Sequence, residues 1–145
     1  MTTAWAHLPN AAHIDRVLAS LTDTPELWHA ARDAAREAAR DAAWYAAWDT
    51  AWDTARYAAR GTAWDTARDA AWDAARSAAW GAARDFAWDA ARGAIAALVA
   101  WDDCGVFLDM PPDAVRLVAA SGHHPAVLLL PAAIVFSKPS VSNAI

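Results

Sequence analysis

The chain has 145 residues, a formal charge of −5 and a single cysteine, which fits one domain of ordinary size and excludes an internal disulfide and every multi-cysteine zinc pattern. The acidic balance argues against a nucleic-acid partner, and no stretch reaches the run of roughly eighteen apolar residues that a membrane helix needs. Hydrophobic residues make up 57% of the chain, but alanine inflates that figure, so the ten tryptophans are expected to supply much of the core.

The first ten residues lack a basic segment followed by an apolar run, so the chain is expected to be soluble and unexported, with the cytoplasm as its default location. From about Ala11 to Leu21 the residues Ile14, Val17, Leu18 and Leu21 share one helical face. Thr24 is read as a cap and Pro25 as the first residue of the next helix.

A tetrapeptide repeat then takes over. Every fourth residue from Trp28 to Arg92 is tryptophan or arginine, seventeen positions without exception, and each residue just before them from Ala31 to Ala91 is alanine. The third slot is usually acidic (Asp33, Glu37, Asp41, Asp49, Asp53, Asp65, Asp69, Asp73, Asp85, Asp89). Alanine and arginine are strong helix formers, so the run is expected to be helical. A four-residue repeat drifts about 40° per unit on an α-helix, so no column can keep one face along the whole run. As one rod it would measure roughly 97 Å, against a diameter of about 38 Å for a compact chain of this length. The repeat must therefore fold back into helices of some three to five units, with turns expected near Gly61 and Gly81 and a further turn considered between Tyr45 and Asp53.

Within such a fold the alanine column lets helix backbones approach, and leucine at Ala67 or Ala75 is expected to overpack by about 1 to 3 kcal/mol. Arginine and tryptophan alternate strictly from Arg60 to Arg92, placing each guanidinium one turn from an indole. Acids precede arginines by three in Asp33–Arg36, Glu37–Arg40, Asp53–Arg56, Asp65–Arg68, Asp73–Arg76 and Asp89–Arg92.

After Gly93 an apolar helix is expected from Ala94 to about Met110, carrying Ile95, Leu98, Val99, Trp101, Val106, Phe107 and Leu108 and stopped by Pro111 and Pro112. Two shorter helices follow: Pro112 to Ala120, ended by Gly122, and His123 to Phe136, bent at Pro131. The fold class is thus all-α, a stacked bundle or short solenoid of repeat helices capped by C-terminal helices. It is read as one domain over 1–136 (11–24 helix and turn, 25–93 repeat, 94–136 cap), with 137–145 a disordered tail.

Arginine interleaved with aromatics also grips single-stranded nucleic acid. Here nine arginines face ten acids between Trp28 and Arg92, so phosphate would meet a carboxylate beside nearly every guanidinium. A membrane-active helix separates cationic from apolar residues, which this column mixes. Thr50, Thr54, Thr62 and Thr66 are read as small substitutes for alanine. No pair among His7, His13, His29, His123 and His124 has the i, i+4 ligand spacing, and His123–His124 reads as a helix-starting turn. Asp102, Asp103 and Cys104 are the one cluster suited to catalysis, but carboxylates raise a thiol's pKa, the wrong direction for a nucleophile. No catalytic residue, metal or cofactor is therefore expected.

The segments Ala97 to Cys104 (ALVAWDDC), Leu108 to Leu117 (LDMPPDAVRL) and Gly122 to Ala132 (GHHPAVLLLPA), after an alanine-rich Trp/Arg run, resemble the immunity proteins of bacterial toxin systems. The resemblance covers about Pro25 to Phe136 and implies a cytoplasmic protein that neutralises a cognate toxin by binding it. It carries over no catalytic or contact residue and does not name the toxin. An acidic surface suits a basic partner, so Asp49, Asp53, Asp65, Asp69, Asp73, Asp85 and Asp89 are the candidate partner-binding residues. A structural or self-associating repeat, forming homo-oligomers without a toxin partner, is the alternative; an enzyme built on Asp102 to Cys104 is the third reading.

Overall fold

The computed structural model describes residues 3–39, 41–58, 61–79 and 84–137. Every regular element among them is helical: α1 (Ala11–Asp23), α2 (Pro25–Ala39), α3 (Asp41–Ala58), α4 (Gly61–Ala78), α5 (Arg84–Ala100), a 3₁₀ helix (Cys104–Asp109), α6 (Pro112–Ala120) and α7 (His124–Phe136). None of these helices is long and apolar enough to cross a membrane.

The first junction follows local chemistry. Pro25 has no N–H to donate and its fixed φ suits the first turn of α2, while Thr24 closes α1. The Thr24 amide and hydroxyl both donate to the Ser20 carbonyl, at 2.8 and 2.9 Å, so the side chain caps the end of α1. Ile14, Val17 and Leu21 of α1 are buried and Leu18 is half-buried, as their shared face requires. Trp28 joins α2 to this layer: its indole donates to Ser20 Oγ at 3.1 Å and its ring meets Phe136 edge-on at 5.9 Å.

The repeat folds back into helices of the expected length. α4 begins at Gly61, whereas Gly81 lies outside the described residues; α4 ends at Ala78 and α5 starts at Arg84. The turn considered between Tyr45 and Asp53 is absent, because α3 runs through that segment, where neither glycine nor proline opposes alanine's helix propensity. Ala31, Ala35, Ala51, Ala55, Ala67, Ala71, Ala75, Ala87 and Ala91 are all at most 2% exposed. Between Ala67 and Ala75 the column drifts by about 80°, and α4 touches both α1 and α5, a two-sided contact that covers it.

The tryptophans differ from expectation. Among the described residues Trp5 and Trp28 are buried, whereas Trp48, Trp52, Trp72, Trp88 and Trp101 are half-buried. The centre is instead filled by alanine and by the aliphatic residues of α1, α5 and α7. α7 is buried from Ala126 through Val135 and packs against α2, α3, α5, α6 and the 3₁₀ helix. The C-terminal segment thus covers the repeat helices by running through their middle. α5 touches α1, α2, α3, α4 and α7, a bundle pattern in which contacts reach well beyond sequence neighbours.

Two boundaries in the C-terminal half are corrected. Gly93 does not end the repeat helix; it lies inside α5, where a Cβ would come within 2.0 Å of the Trp48 ring. Its missing side chain is a notch for that indole. The apolar helix expected to reach Met110 stops at Ala100. Its last carbonyls are taken by a residue far away in sequence, the buried Asn10, whose amide donates to Leu98 O at 2.9 Å and Trp101 O at 2.8 Å. The chain resumes as the 3₁₀ helix, pressed so close to α1 that a Cβ on Gly105 would lie 2.5 Å from the His13 ring. Val106, expected in the core, is 60% exposed.

α6 and α7 keep their expected limits. Gly122 adopts φ 90° just after α6, a left-handed conformation that glycine takes without strain. His123 caps α7, its Nδ1 accepting from the Ala126 amide at 3.4 Å, and Pro131 lies within the helix. Of the tail, Ser137 is described and its hydroxyl donates to Ile134 O at 2.7 Å; residues 138–145 lie outside the described set.

Candidate functional site

The repeat's three polar or aromatic columns part company at the surface. Arg68, Arg76 and Arg92 lie along indoles, and their stacking crosses between helices. Arg68 sits over Trp72 at 4.9 Å, Trp72 stacks on Trp52 at 5.1 Å, Arg92 lies 4.7 Å from Trp52 and 5.6 Å from Trp88, and Arg76 covers Trp88 at 5.3 Å. This row joins α3, α4 and α5, and Trp72 Nε1 adds a 3.1 Å bond to the Arg92 carbonyl. The alternation in the sequence predicts neighbours within one helix, as in Arg68–Trp72, but not the contact of Trp52 with Trp72.

The acids stand outside this row. Asp65 and Asp69 expose 53% and 65% of their side chains, against 14% for Arg68, which reaches them at 3.3 and 3.6 Å. Asp33–Arg36 and Asp89–Arg92 form the expected pairs, each at 3.3 Å. Asp73–Arg76 does not, since that guanidinium has turned onto Trp88. Arg40 and the side chain of Arg56 lie outside the described residues, and with them the pairs expected for Glu37 and Asp53. Asp49, Asp53 and Asp73 are exposed and make no ion pair with any described residue.

The fold gathers these acids in two places. Asp49 and Asp89 line a cavity of about 170 Å³ with Arg32, Trp48, Arg92 and Pro131. Asp53 and Asp65 meet across α3 and α4 in a second, of about 250 Å³, beside Arg68 and Tyr57. Tyr57 is 86% exposed. Asp69 and Asp73 continue the stripe along α4, and the Asp85 side chain lies outside the described residues.

A third concavity was not legible as a site, because its residues are far apart in sequence. Thr54, Trp101, Asp103, Cys104, Phe107 and His123 line a hollow of about 560 Å³. It brings the lone thiol near a histidine, yet the chemistry is unsuitable for attack. Burial above all, then the nearby Asp103 charge, pushes the Cys104 thiol up from 9.0 to about 12. Its Sγ donates to the Ala97 carbonyl at 3.3 Å. His123 Nδ1 is engaged in the α7 cap, and its ring packs on Phe107 at 5.4 Å. A neutral, hydrogen-bonded thiol and a histidine held by structural contacts make a wall, not a nucleophile and base.

No family model, no curated protein and no solved structure matches this chain.

Proposed function

We propose that this chain neutralises a bacterial toxin by direct protein–protein binding, without catalysis, and that the carboxylates of α3 and α4 meet a basic surface on that toxin. The observation that carries this reading is the unequal exposure of opposite charges. Asp65 and Asp69 project into solvent while the Arg68 guanidinium they share is mostly enclosed; Arg76, although it lies beside Trp88, stays exposed. Around Arg68 the solvent-facing charge is therefore more acidic than the near balance of the repeat's formula. Such a field steers a basic partner and raises its association rate by about 10- to 1,000-fold at low salt. A phosphate approaching Arg68 would meet the more exposed Asp65 and Asp69 first, which argues against nucleic acid there. The class of partner comes from the resemblance of Leu108 to Leu117 and Gly122 to Ala132 to immunity proteins.

The test is expression of neighbouring reading frames alone and together with this chain. The expected result is a frame that is lethal by itself and harmless when co-expressed, its product co-purifying with this protein. Converting Asp65, Asp69 and Asp73 to asparagine is expected to slow association and flatten its salt dependence while circular dichroism stays unchanged. Unaltered association would reject the acidic stripe as the contact surface. Absence of rescue, with concentration-dependent oligomers, would favour the self-associating alternative.

A further inference from the structure

The hollow of about 560 Å³ adjoins a second of about 270 Å³, and the two share Gly122 and His124. Together they form a trench between α3 and the turn that joins α6 to α7. Its α3 wall is built of small residues: Ala46, Ala47 and Thr50 in one hollow, Thr54 in the other. Both threonine hydroxyls are spent within the helix, Thr50 donating to Ala46 O at 3.0 Å and Thr54 to Thr50 O at 2.8 Å. With those protons used, the methyl groups and the accepting lone pairs are what remain for a visitor. The opposite wall presents Trp101, Phe107 and Pro125, with Val106 60% exposed at the rim. Ala47, a member of the alanine column, is only half-buried, because here its neighbour is open space instead of another helix.

Among the described residues, the formal charges around the trench are acidic. Asp103 lines it and Asp102 stands next to it, both exposed and neither in an ion pair with any described residue. The other titratable groups among the described lining residues are the Cys104 thiol, His123 and His124, and among the described residues no lysine or arginine lines either hollow. An apolar channel with an acidic end complements a segment that carries apolar side chains along one face and basic ones beside them, the arrangement of helix-in-groove recognition.

We propose that this trench seats an amphipathic segment of a basic protein partner, its apolar side chains entering between Thr54 and Phe107 and its lysine or arginine side chains meeting Asp102 and Asp103. The inference takes its partner from the toxin-binding reading and assigns that partner a second point of attachment, separate from the α4 stripe. Neighbouring carboxylates give the segment its orientation, and the apolar walls hold it.

The probe is a fluorescently labelled helical peptide with one leucine face and one lysine face, titrated into the full chain and followed by anisotropy. Val106→Arg adds a like charge and bulk at an already exposed position, and Asp102→Asn with Asp103→Asn removes the acidic end. The first is expected to weaken binding tenfold or more. The second is expected to weaken it and to flatten its salt dependence. Asp65→Asn, Asp69→Asn and Asp73→Asn together are expected to retain at least half the affinity. Circular dichroism of each variant checks that the fold is kept. A wild-type chain that does not bind the peptide would overturn the proposal. So would equal binding by the wild type, Val106→Arg and the Asp102/Asp103 variant, or loss of binding confined to the α4 variant. A chain that rescues growth but fails these titrations loses the trench alone, whereas one that binds the peptide through the trench but rescues nothing loses the toxin reading.

Discussion

Placing alanine at Gly93 should destabilise the protein, against the usual behaviour of that change within a helix. In an unobstructed helix interior, glycine to alanine contributes about 0.5 to 1 kcal/mol by restricting the unfolded chain and improving helix propensity. At Gly93 the new Cβ would lie 2.0, 2.6 and 2.9 Å from three ring carbons of Trp48. None of these is a tolerable contact, and a rigid indole cannot escape by rotating one terminal bond. Displacing it costs about 2 to 3 kcal/mol, the upper part of the range for overpacking, which leaves a net loss of about 1 to 2.5 kcal/mol. Thermal melts followed by circular dichroism should show the midpoint falling by about 3 to 8 °C for a chain of this size. Repeating the change with Trp48 already replaced by alanine isolates the cause. There, Gly93→Ala should raise stability by about 0.5 to 1 kcal/mol, because only the propensity effect remains. A Gly93→Ala protein at least as stable as the wild type, or the same sign in both backgrounds, would refute the notch.

Asn10→Ala removes both side-chain donors at the end of α5 and should cost about 1 to 3 kcal/mol, with hydrogen-exchange protection lost first at the Trp101 amide; uniform protection would contradict the cap. Cys104 should resist a disulfide-exchange reagent in the native protein and react only on unfolding. Its thiol is held at about 12 when folded, against 9.0 otherwise, so as the pH rises above about 9 the unfolded chain gives up this proton while the native one keeps it. The thiol's contribution to stability is complete below pH 9 and lost progressively towards pH 12. Urea unfolding should therefore show the gap between wild type and Cys104→Ala narrowing over that range, and a constant gap would count against it.

Where the chain's own chemistry sets a boundary, the sequence displays it: Pro25 opens α2, Pro112 opens α6, and Gly122 with its left-handed turn separates α6 from α7. The buried alanines were likewise visible as a column. What escaped notice depends on partners remote in the chain. The end of α5 is set by Asn10, 88 residues from Leu98, and the burial of α7 follows from five elements closing around it. The stacking of Trp52 on Trp72 needs two helices in a definite alignment, about which a four-residue period is silent. Of the candidate site, the acids could be named in advance. Their convergence on shared cavities, Asp49 with Asp89 and Asp53 with Asp65, could not, nor could the trench, whose walls are contributed by α3, the 3₁₀ helix and the start of α7.

Because its units are nearly interchangeable, α3 could in principle sit in more than one frame. Sliding it by four residues would deliver Trp44 to the Gly93 notch and Trp48 to the face of Trp72, so three consecutive indoles in the column (Trp44, Trp48, Trp52) leave both seats filled either way. The acid slot is less forgiving: the same slide would bring Tyr45 to the spot where Asp49 shares a cavity with Arg32 and Arg92. The slide would leave Asp89 as the one carboxylate beside two guanidiniums, so the acid slot favours the alignment that the tryptophans leave undecided.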